Sequence, residues 1–169
     1  MMADLERLGA EGIRFQSAIL VAGTFPEQPF GTWTPQSIQE TLAINLIFPM
    51  LASQALAPWI EDRGCLQFIL DTAIHRPMLK RLPYSAAKAG LAAMVPALAR
   101  RLAPKVRVAG HALGVLLPDE TSDASQLAEL NLLKQNGTPE DLLRALRYVA
   151  ASPYLTGEIL TLDGGRRWA

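Results

Sequence analysis

The chain has 169 residues, half of them hydrophobic, and its 16 basic and 16 acidic residues leave a formal net charge of zero. That length suits one compact domain, and a balanced charge gives no field that would attract nucleic acid or an anionic membrane, so small molecules or other proteins are the expected partners. The single cysteine, Cys65, cannot form a disulfide within the chain, which favours a reducing, cytoplasmic compartment.

The first half of the chain alternates a buried strand with a long helix, twice. FQSAILVAG, residues 15–23, is an apolar run that predicts a strand. Thr34 as N-cap and Pro35 at the first helical position then open a helix that runs to about residue 60. GCLQFILDT, residues 64–72, predicts a second buried strand, and the alanine- and leucine-rich segment 84–102 predicts a second long helix.

The second half continues the alternation. KVRVAGHALGVLL, residues 105–117, predicts a third strand that runs into a loop, while residues 115–136 show little pattern. Thr138 as N-cap and Pro139 in the first turn start a further helix, and GEILTLDGG, residues 157–165, predicts a last strand with a tight turn. Strands and helices in this order indicate one α/β domain over residues 1–169, with a parallel sheet of about four strands.

Two segments bear on the membrane question. The start, MMADLERLGAEG, carries acidic residues and lacks an apolar signal-peptide core, so we do not expect export. Residues 42–60 are uncharged over a length that could span a bilayer. Asn45, Ser53 and Gln54, together with two prolines, favour a buried helix there instead, and we predict no transmembrane segment.

Motifs along most of the chain resemble one enzyme family. YSAAK, with Tyr84 and Lys88, matches the Tyr-x-x-x-Lys signature of the short-chain dehydrogenases/reductases. Ala22 and Gly23 resemble the end of the family's Asn-Asn-Ala-Gly strand, and Asn45 in NLIFP resembles its helix asparagine. ALGVLLP, GTPED and LTGEILTLDGG resemble its closing segments. The resemblance implies a Rossmann-like, doubly wound sheet and an NAD(P)H-dependent oxidoreductase.

One position resembles a particular branch of the family. The usual partner of the tyrosine is a serine, but the residue 13 positions before Tyr84 is Asp71. An aspartate there, and the ending LDGGRRW, resemble the pteridine reductases. The resemblance therefore implies an NADPH-dependent reductase of a small molecule, with a pterin as one possible substrate, and places the substrate loop in residues 115–136.

The chemistry of such a reduction requires an acid. Hydride goes to one atom of a C=N or C=O bond and a proton to its neighbour. A phenol with a pKa of about 10 is a poor donor at neutral pH, and we expect the Lys88 cation, one helical turn after Tyr84, to lower that pKa. By resemblance, Lys88 also holds the nicotinamide ribose, Asn45 supports a water relay, and Asp71 binds the pterin edge or passes on a proton. The cofactor-binding residues implied in the same way are Ala22, Gly23, Tyr84, Lys88, Gly114 and Val115.

Each of these residues has a simpler interpretation. Asp71 could cap the turn after its strand, and Asn45 could bond to a neighbouring carbonyl within its helix. Tyr84 and Lys88 could be an ordinary helix-start aromatic and a surface lysine. His75 and His111 have no cysteine or carboxylate at metal-ligand spacing, so no metal is expected.

The sequence also departs from the family pattern. A dinucleotide fold begins with a strand, a glycine-rich loop and a helix, and these 169 residues contain no such segment. They resemble the C-terminal two-thirds of a family member. Leu20 and Val21 stand where the family has paired asparagines, and Ala109 and Leu113 replace its third-strand asparagine and the proline of the loop that follows.

Two hypotheses about function follow from this pattern. The first is a reductase, from a longer reading frame or with its nucleotide-binding half on another chain. The second is a non-catalytic truncated relative that acts as an oligomer or interaction partner. In both, the first strand would leave an open sheet edge, and the apolar helices 35–59 and 84–102 resemble those that pair in the family's oligomers. We expect this chain alone to bind dinucleotide poorly.

Overall fold

A parallel sheet forms the centre of the molecule. The computed structural model describes residues 7–8, 10–116 and 123–169. Four strands lie side by side in the order β1 to β4, and every neighbouring pair is parallel. The strands are β1 (Phe15–Leu20), β2 (Ile60–Asp71), β3 (Arg107–Leu113) and β4 (Ile159–Leu162). The predicted α/β class, with a parallel sheet of about four strands, is confirmed.

Helices connect the strands and cover both faces of the sheet. The segment between β1 and β2 is continuous through α1 (Pro35–Leu42), a π-turn (Ala43–Ile47), α2 (Phe48–Leu56) and a 3₁₀ turn (Ala57–Trp59). The others are α3 (Leu82–Leu102), α4 (Ala124–Glu129) and α5 (Pro139–Ala151), with 3₁₀ turns at Thr72–Ile74 and Arg166–Trp168.

The two predicted helix starts are confirmed in detail. The Thr34 side chain accepts a hydrogen bond from the Ser37 amide, and the Ser37 hydroxyl accepts one from the Thr34 amide. Thr138 and Asp141 form the same reciprocal capping box at the start of α5. Each box satisfies two amides that a helix leaves without an internal partner.

Several features differ from the sequence predictions; for example, the helix predicted over residues 84–102 begins two residues earlier, at Leu82. β1 ends at Leu20, the last residue that pairs with β2, so residues 21–23 of the predicted strand lie outside the sheet. β2 begins at Ile60, ahead of the glycine, and its pairing with β1 shifts register between Phe15 and Ser17. α4 lies in the segment 115–136, where no helix was predicted, and residues 117–122 of that segment lie outside the described residues.

The core lies mainly between the sheet and α3. Leu66, Phe68 and Leu70 alternate along β2 and point to one face, where they pack against Leu91 and Val95 of α3. That alternation is the period of a strand, and burial of such side chains stabilises each by about 1.5–3 kcal/mol. This packing fixes the first turns of α3 against the carboxyl end of β2.

The helical run Pro35–Trp59 is long and apolar enough to cross a membrane by length and composition. In this fold it lies against α3 and the sheet, with Asn45, Pro49 and Ser53 buried. Only 28% of its most apolar window is buried, however, and Ile47, Phe48 and other large apolar side chains stay exposed. A core or interface helix passes the same composition test, so the run is weak evidence for a membrane span.

A buried polar cluster occupies the other face of the sheet. His111 is fully buried on β3, and its Nε2 lies 2.7 Å from Oε1 of Gln67 on β2. The Gln67 amide in turn donates to the Ser17 hydroxyl at 3.0 Å. His111 Nδ1 has no hydrogen-bond partner among the described residues. Burial disfavours the charged imidazole and lowers the pKa of His111 from 6.5 to about 4.

This cluster predicts an acid-sensitive fold. Because the folded-state pKa of His111 is depressed, its stabilising contribution is present above about pH 6.5 and is lost as the pH falls toward 4. The shift corresponds to about 3 kcal/mol of unfolding free energy. Urea unfolding should give a lower free energy of unfolding at pH 4 than at pH 7, and His111→Gln should make this difference smaller. His75→Gln, at an exposed position, is the matched control; equal pH dependence in the wild type and His111→Gln would contradict the prediction.

Candidate active site

The predicted site residues lie at or near the carboxyl end of the sheet. Ala22 and Gly23 follow β1, Asp71 ends β2, and Gly114 and Val115 follow β3. In a parallel sheet all the carboxyl ends lie on the same side, and ligands of such folds bind there. Tyr84 and Lys88 reach the same side from the first two turns of α3, which contacts both β2 and β3.

Asp71 and Tyr84 are in direct contact. The phenol of Tyr84 donates a hydrogen bond to Oδ2 of Asp71 at 2.9 Å, and Oδ1 of Asp71 accepts the Ala73 amide. Asp71 therefore caps the following 3₁₀ turn, as the simpler interpretation expected, and also holds the phenol. Both roles use one carboxylate, because it has two oxygens with separate partners.

Lys88 lies beside this pair. Its ammonium group donates to the Ile69 carbonyl at 3.0 Å and lies 5.7 Å from the centre of the Tyr84 ring. The side chain is buried, and burial lowers its pKa, an effect that the Asp71 carboxylate opposes. An ammonium group has three donors, so the single carbonyl bond leaves Lys88 able to bind a further acceptor.

The pKa of Tyr84 moves opposite to the sequence expectation. Burial raises it first, and the negative charge of Asp71 together with the hydrogen bond to that carboxylate raises it further. The pKa of Asp71 is also raised, chiefly by burial. The expected lowering by Lys88 does not prevail, because the carboxylate touches the phenol and the ammonium does not. Tyr84 is therefore held in its protonated form.

Hydrogen bonds from the Asn45 side chain hold the loop after β1 in place. Its side-chain amide donates to the carbonyl and hydroxyl of Thr24 and to the Thr41 carbonyl, and its Oδ1 accepts the Thr24 amide at 3.3 Å. Gly23 leaves room for this contact, since a Cβ there would lie 3.1 Å from Oδ1 of Asn45 and 3.7 Å from Nζ of Lys88. The π-turn that carries Asn45 thus links this loop to α1.

Gly114 and Val115 lie on the other side of β2 from Gly23. The Gly114 amide extends the sheet ladder to the Leu162 carbonyl, and a Cβ on Gly114 would collide with Asp163. The Val115 carbonyl accepts the Gly137 amide. No hydrogen bond joins these two residues to the Asp71–Tyr84 pair among the described residues.

Sequence reasoning missed two residues that cover Tyr84. The Phe25 ring meets the Tyr84 ring edge-on at 4.8 Å and is half-exposed. The Arg81 guanidinium lies 4.1 Å above the Phe25 ring and also pairs with Glu27. In the sequence, only their positions could have identified them. Phe25 comes two residues after Gly23, and Arg81 directly precedes α3. Phe25 therefore packs directly against the Tyr84 ring, and Arg81 packs against Phe25.

Replacing Asp71 with asparagine tests the electrostatics of the pair. The substitution removes the negative charge and should lower the pKa of Tyr84, although burial keeps it above the ordinary value. NMR titration of ¹³Cζ-labelled tyrosine follows each of the three tyrosines separately. The Tyr84 signal should begin to shift at lower pH in Asp71→Asn than in the wild type. Coincident titrations in the two proteins would show that the carboxylate does not control the phenol.

Comparison with known protein families shows which proteins this chain resembles. A family model described as enoyl-(acyl carrier protein) reductase matches residues 5–167. A ketoacyl reductase of the granaticin polyketide synthase from Streptomyces violaceoruber is 27% identical over 149 residues, covering 83% of this chain and 60% of that protein. Dihydromonapterin reductase from Escherichia coli is 30% identical over 132 residues, covering 74% of this chain and 55% of that protein. The chain spans little more than half the length of these relatives.

Solved structures share the fold. A short-chain dehydrogenase/reductase from Serratia marcescens superposes with a TM-score of 0.89 at 24% identity, covering 98% of this chain and 71% of that one. A blue fluorescent protein from a metagenomic library, determined in complex with NADPH, gives a TM-score of 0.88 at 24% identity, covering 98% and 70%. At this identity the two structures bear on the fold alone.

Proposed function

Since this chain belongs to the short-chain dehydrogenase/reductase family, we propose that it carries the proton-donating part of an NADPH-dependent reductase for a small C=N or C=O substrate. The observation that carries the proposal is the 2.9 Å hydrogen bond between Tyr84 and Asp71, with the Lys88 ammonium beside it. The aspartate at 71 and the dihydromonapterin reductase relatives favour a pterin-like substrate.

The protonation states of the pair suggest how the acid works. Two anions 2.9 Å apart in a buried site repel each other strongly, so Asp71 and Tyr84 share at least one proton. For Tyr84 to give its proton to the substrate, Asp71 must already carry a proton of its own, and the raised pKa of Asp71 favours that state. The Asp71 O–H then donates a hydrogen bond to the phenolic oxygen, so that only one negative charge, the phenolate, remains in the pair after the transfer. Lys88 places positive charge near the phenolate that forms. In this proposal Tyr84 donates the proton, and Asp71 and Lys88 balance the charge.

The residues fit one end of a nicotinamide dinucleotide. Such a cofactor supplies the hydride, and the free donors of Lys88 together with the Tyr84 phenol suit the hydroxyls of its nicotinamide ribose. Ala22 and Gly23, two small exposed residues, lie next to Lys88 at the carboxyl end of β1. Gly114 and Val115 lie at the carboxyl end of β3, on the other side of β2. The described residues contain no strand, glycine-rich loop and helix that would cradle a pyrophosphate.

Asn45 holds the loop at Gly23 in place. A water relay past Asn45 would have to use other atoms, since both of its amide hydrogens are bonded within the protein.

We further propose that two copies pair through the helical run Pro35–Trp59 and α3. The run exposes Ile44, Ile47, Phe48 and Leu51 within two turns, which is the composition of an interface rather than of a solvated surface. Analytical ultracentrifugation of the wild type and a Phe48→Ser/Leu51→Ser variant tests this assignment, because the wild type should sediment as a dimer or larger and the variant as a monomer.

The direct test of the proposed function is consumption of NADPH followed at 340 nm. Purified chain with millimolar NADPH should oxidise it only when a dihydropterin or a small ketone is present. A complete absence of turnover over the full concentration range, with the protein folded, would favour the non-catalytic interaction role instead.

A further inference from the structure

A positively charged cavity adjoins the candidate site. Its volume is about 480 Å³, which suits a small molecule. It begins at Thr72, the neighbour of Asp71, and its walls include Arg76, Arg166 and Arg167. The one described carboxylate side chain in its lining, Glu129, pairs with Lys134 at 3.2 Å. Counted over the described side chains of its lining, the cavity therefore carries an excess of positive charge.

Two of these arginines have donors with no described acceptor. Nη1 of Arg166 and Nε of Arg167 are buried and have no hydrogen-bond partner among the described residues. Arg76 already donates to the Ala169 carbonyl oxygen at 2.7 Å. A buried donor that bonds to nothing destabilises the fold by about 1–3 kcal/mol, more when the group is charged. An anionic ligand in the cavity would supply acceptors to these two guanidinium groups.

A rigid turn presents the two arginines. Gly164 and Gly165 both have positive φ, and a Cβ on either would come within 2.8 Å of Asn131 or Leu132. The Asp163 carboxylate accepts the amides of Gly165 and Arg167, which locks the turn. The charge of Arg166 reaches the Asp71 carboxyl group, where it opposes the raising of the pKa of Asp71 by burial.

We propose that this cavity anchors the anionic group, a carboxylate or phosphate, of the substrate that Tyr84 protonates. Planar guanidinium groups bind such oxyanions through paired N–H donors, and Arg166 and Arg167 supply these donors. Met78, Leu79 and Leu130 provide apolar wall for the body of the molecule. The proposal rests on the proposed function and narrows its substrates to small organic anions.

Equilibrium binding without cofactor tests the cavity separately from catalysis. The probes are 2-naphthyl phosphate and 2-naphthoate, with neutral 2-naphthol as the uncharged control, each titrated by calorimetry. We expect at least one anionic probe to bind about tenfold more tightly than naphthol, and Arg166→Gln/Arg167→Gln to remove that difference. Arg147→Gln, which removes an exposed charge on α5, should keep it.

Further measurements keep the result interpretable. Circular dichroism establishes that each variant is folded, and Arg166→Lys/Arg167→Lys should retain part of the preference because the charge remains. If the glutamine variant does not fold, the wild type in rising NaCl replaces it, and the preference should shrink. Equal affinity of the wild type for anions and naphthol, or an unchanged preference in the folded glutamine variant, overturns the proposal. Arginine-dependent binding without NADPH turnover would uphold the cavity and count against the reductase.

Discussion

Replacing Tyr84 with phenylalanine is expected to lower kcat/KM for NADPH-dependent reduction about 10³-fold, within the range that general acids contribute. The substitution removes one oxygen atom and keeps the ring that packs against Phe25 at 4.8 Å. It deletes the only hydroxyl that bonds to Asp71 among the described residues. The loss should fall mainly on kcat, since the proton moves in the transition state.

Two controls separate chemistry from folding in this experiment. Tyr148→Phe changes an exposed tyrosine on α5 and should leave the kinetics unchanged. The midpoint of thermal unfolding of Tyr84→Phe should stay within about 10 °C of the wild type, because the phenol's hydrogen bond contributes only about 1–3 kcal/mol. A Tyr84→Phe variant that retains more than a third of wild-type activity would remove Tyr84 from the role of acid.

Local sequence patterns predicted much of the fold and the pairing of Asp71 with Tyr84. Thr34 and Thr138 marked helix starts because capping depends on residues within one turn. Tyr84 and Lys88, four residues apart on a helix, had to share a face. Counting back from Tyr84 identified Asp71, and the structure places the two in contact. Each of these features depends on a short stretch of chain or on a motif of fixed spacing.

Features set by packing between distant segments could not be predicted in the same way. The direction of the Tyr84 pKa depends on burial and on which charge touches the phenol, and neither is visible in YSAAK. Phe25 and Arg81 meet through a loop and a helix start 56 residues apart in sequence. The arginine-lined cavity joins the loop after β2 to the turn after β4, so it exists only once the sheet has formed.

Dinucleotide affinity is expected to be weak for this chain, with a dissociation constant above about 1 mM, or about 4 kcal/mol of binding free energy. The contacts that this site offers to a dinucleotide lie at the nicotinamide end only, and they come from Gly23, Tyr84 and Lys88. Leu20 and the exposed Val21 supply apolar side chains where the family pattern has amides. Pyrophosphate is bound elsewhere by backbone amides at a helix N-terminus behind a glycine-rich loop, and the described residues include no such loop.

A calorimetric titration that compares NADPH with reduced nicotinamide mononucleotide tests the central claim most directly. Asp71, Tyr84 and Lys88 lie together at the proposed nicotinamide end, whereas the described residues offer no site for the adenosine half. The two ligands should therefore bind with similar, millimolar affinity, and Lys88→Met should weaken both. Micromolar binding of NADPH with a large preference over the mononucleotide would contradict the account, because it would require an adenosine site that the described structure does not contain.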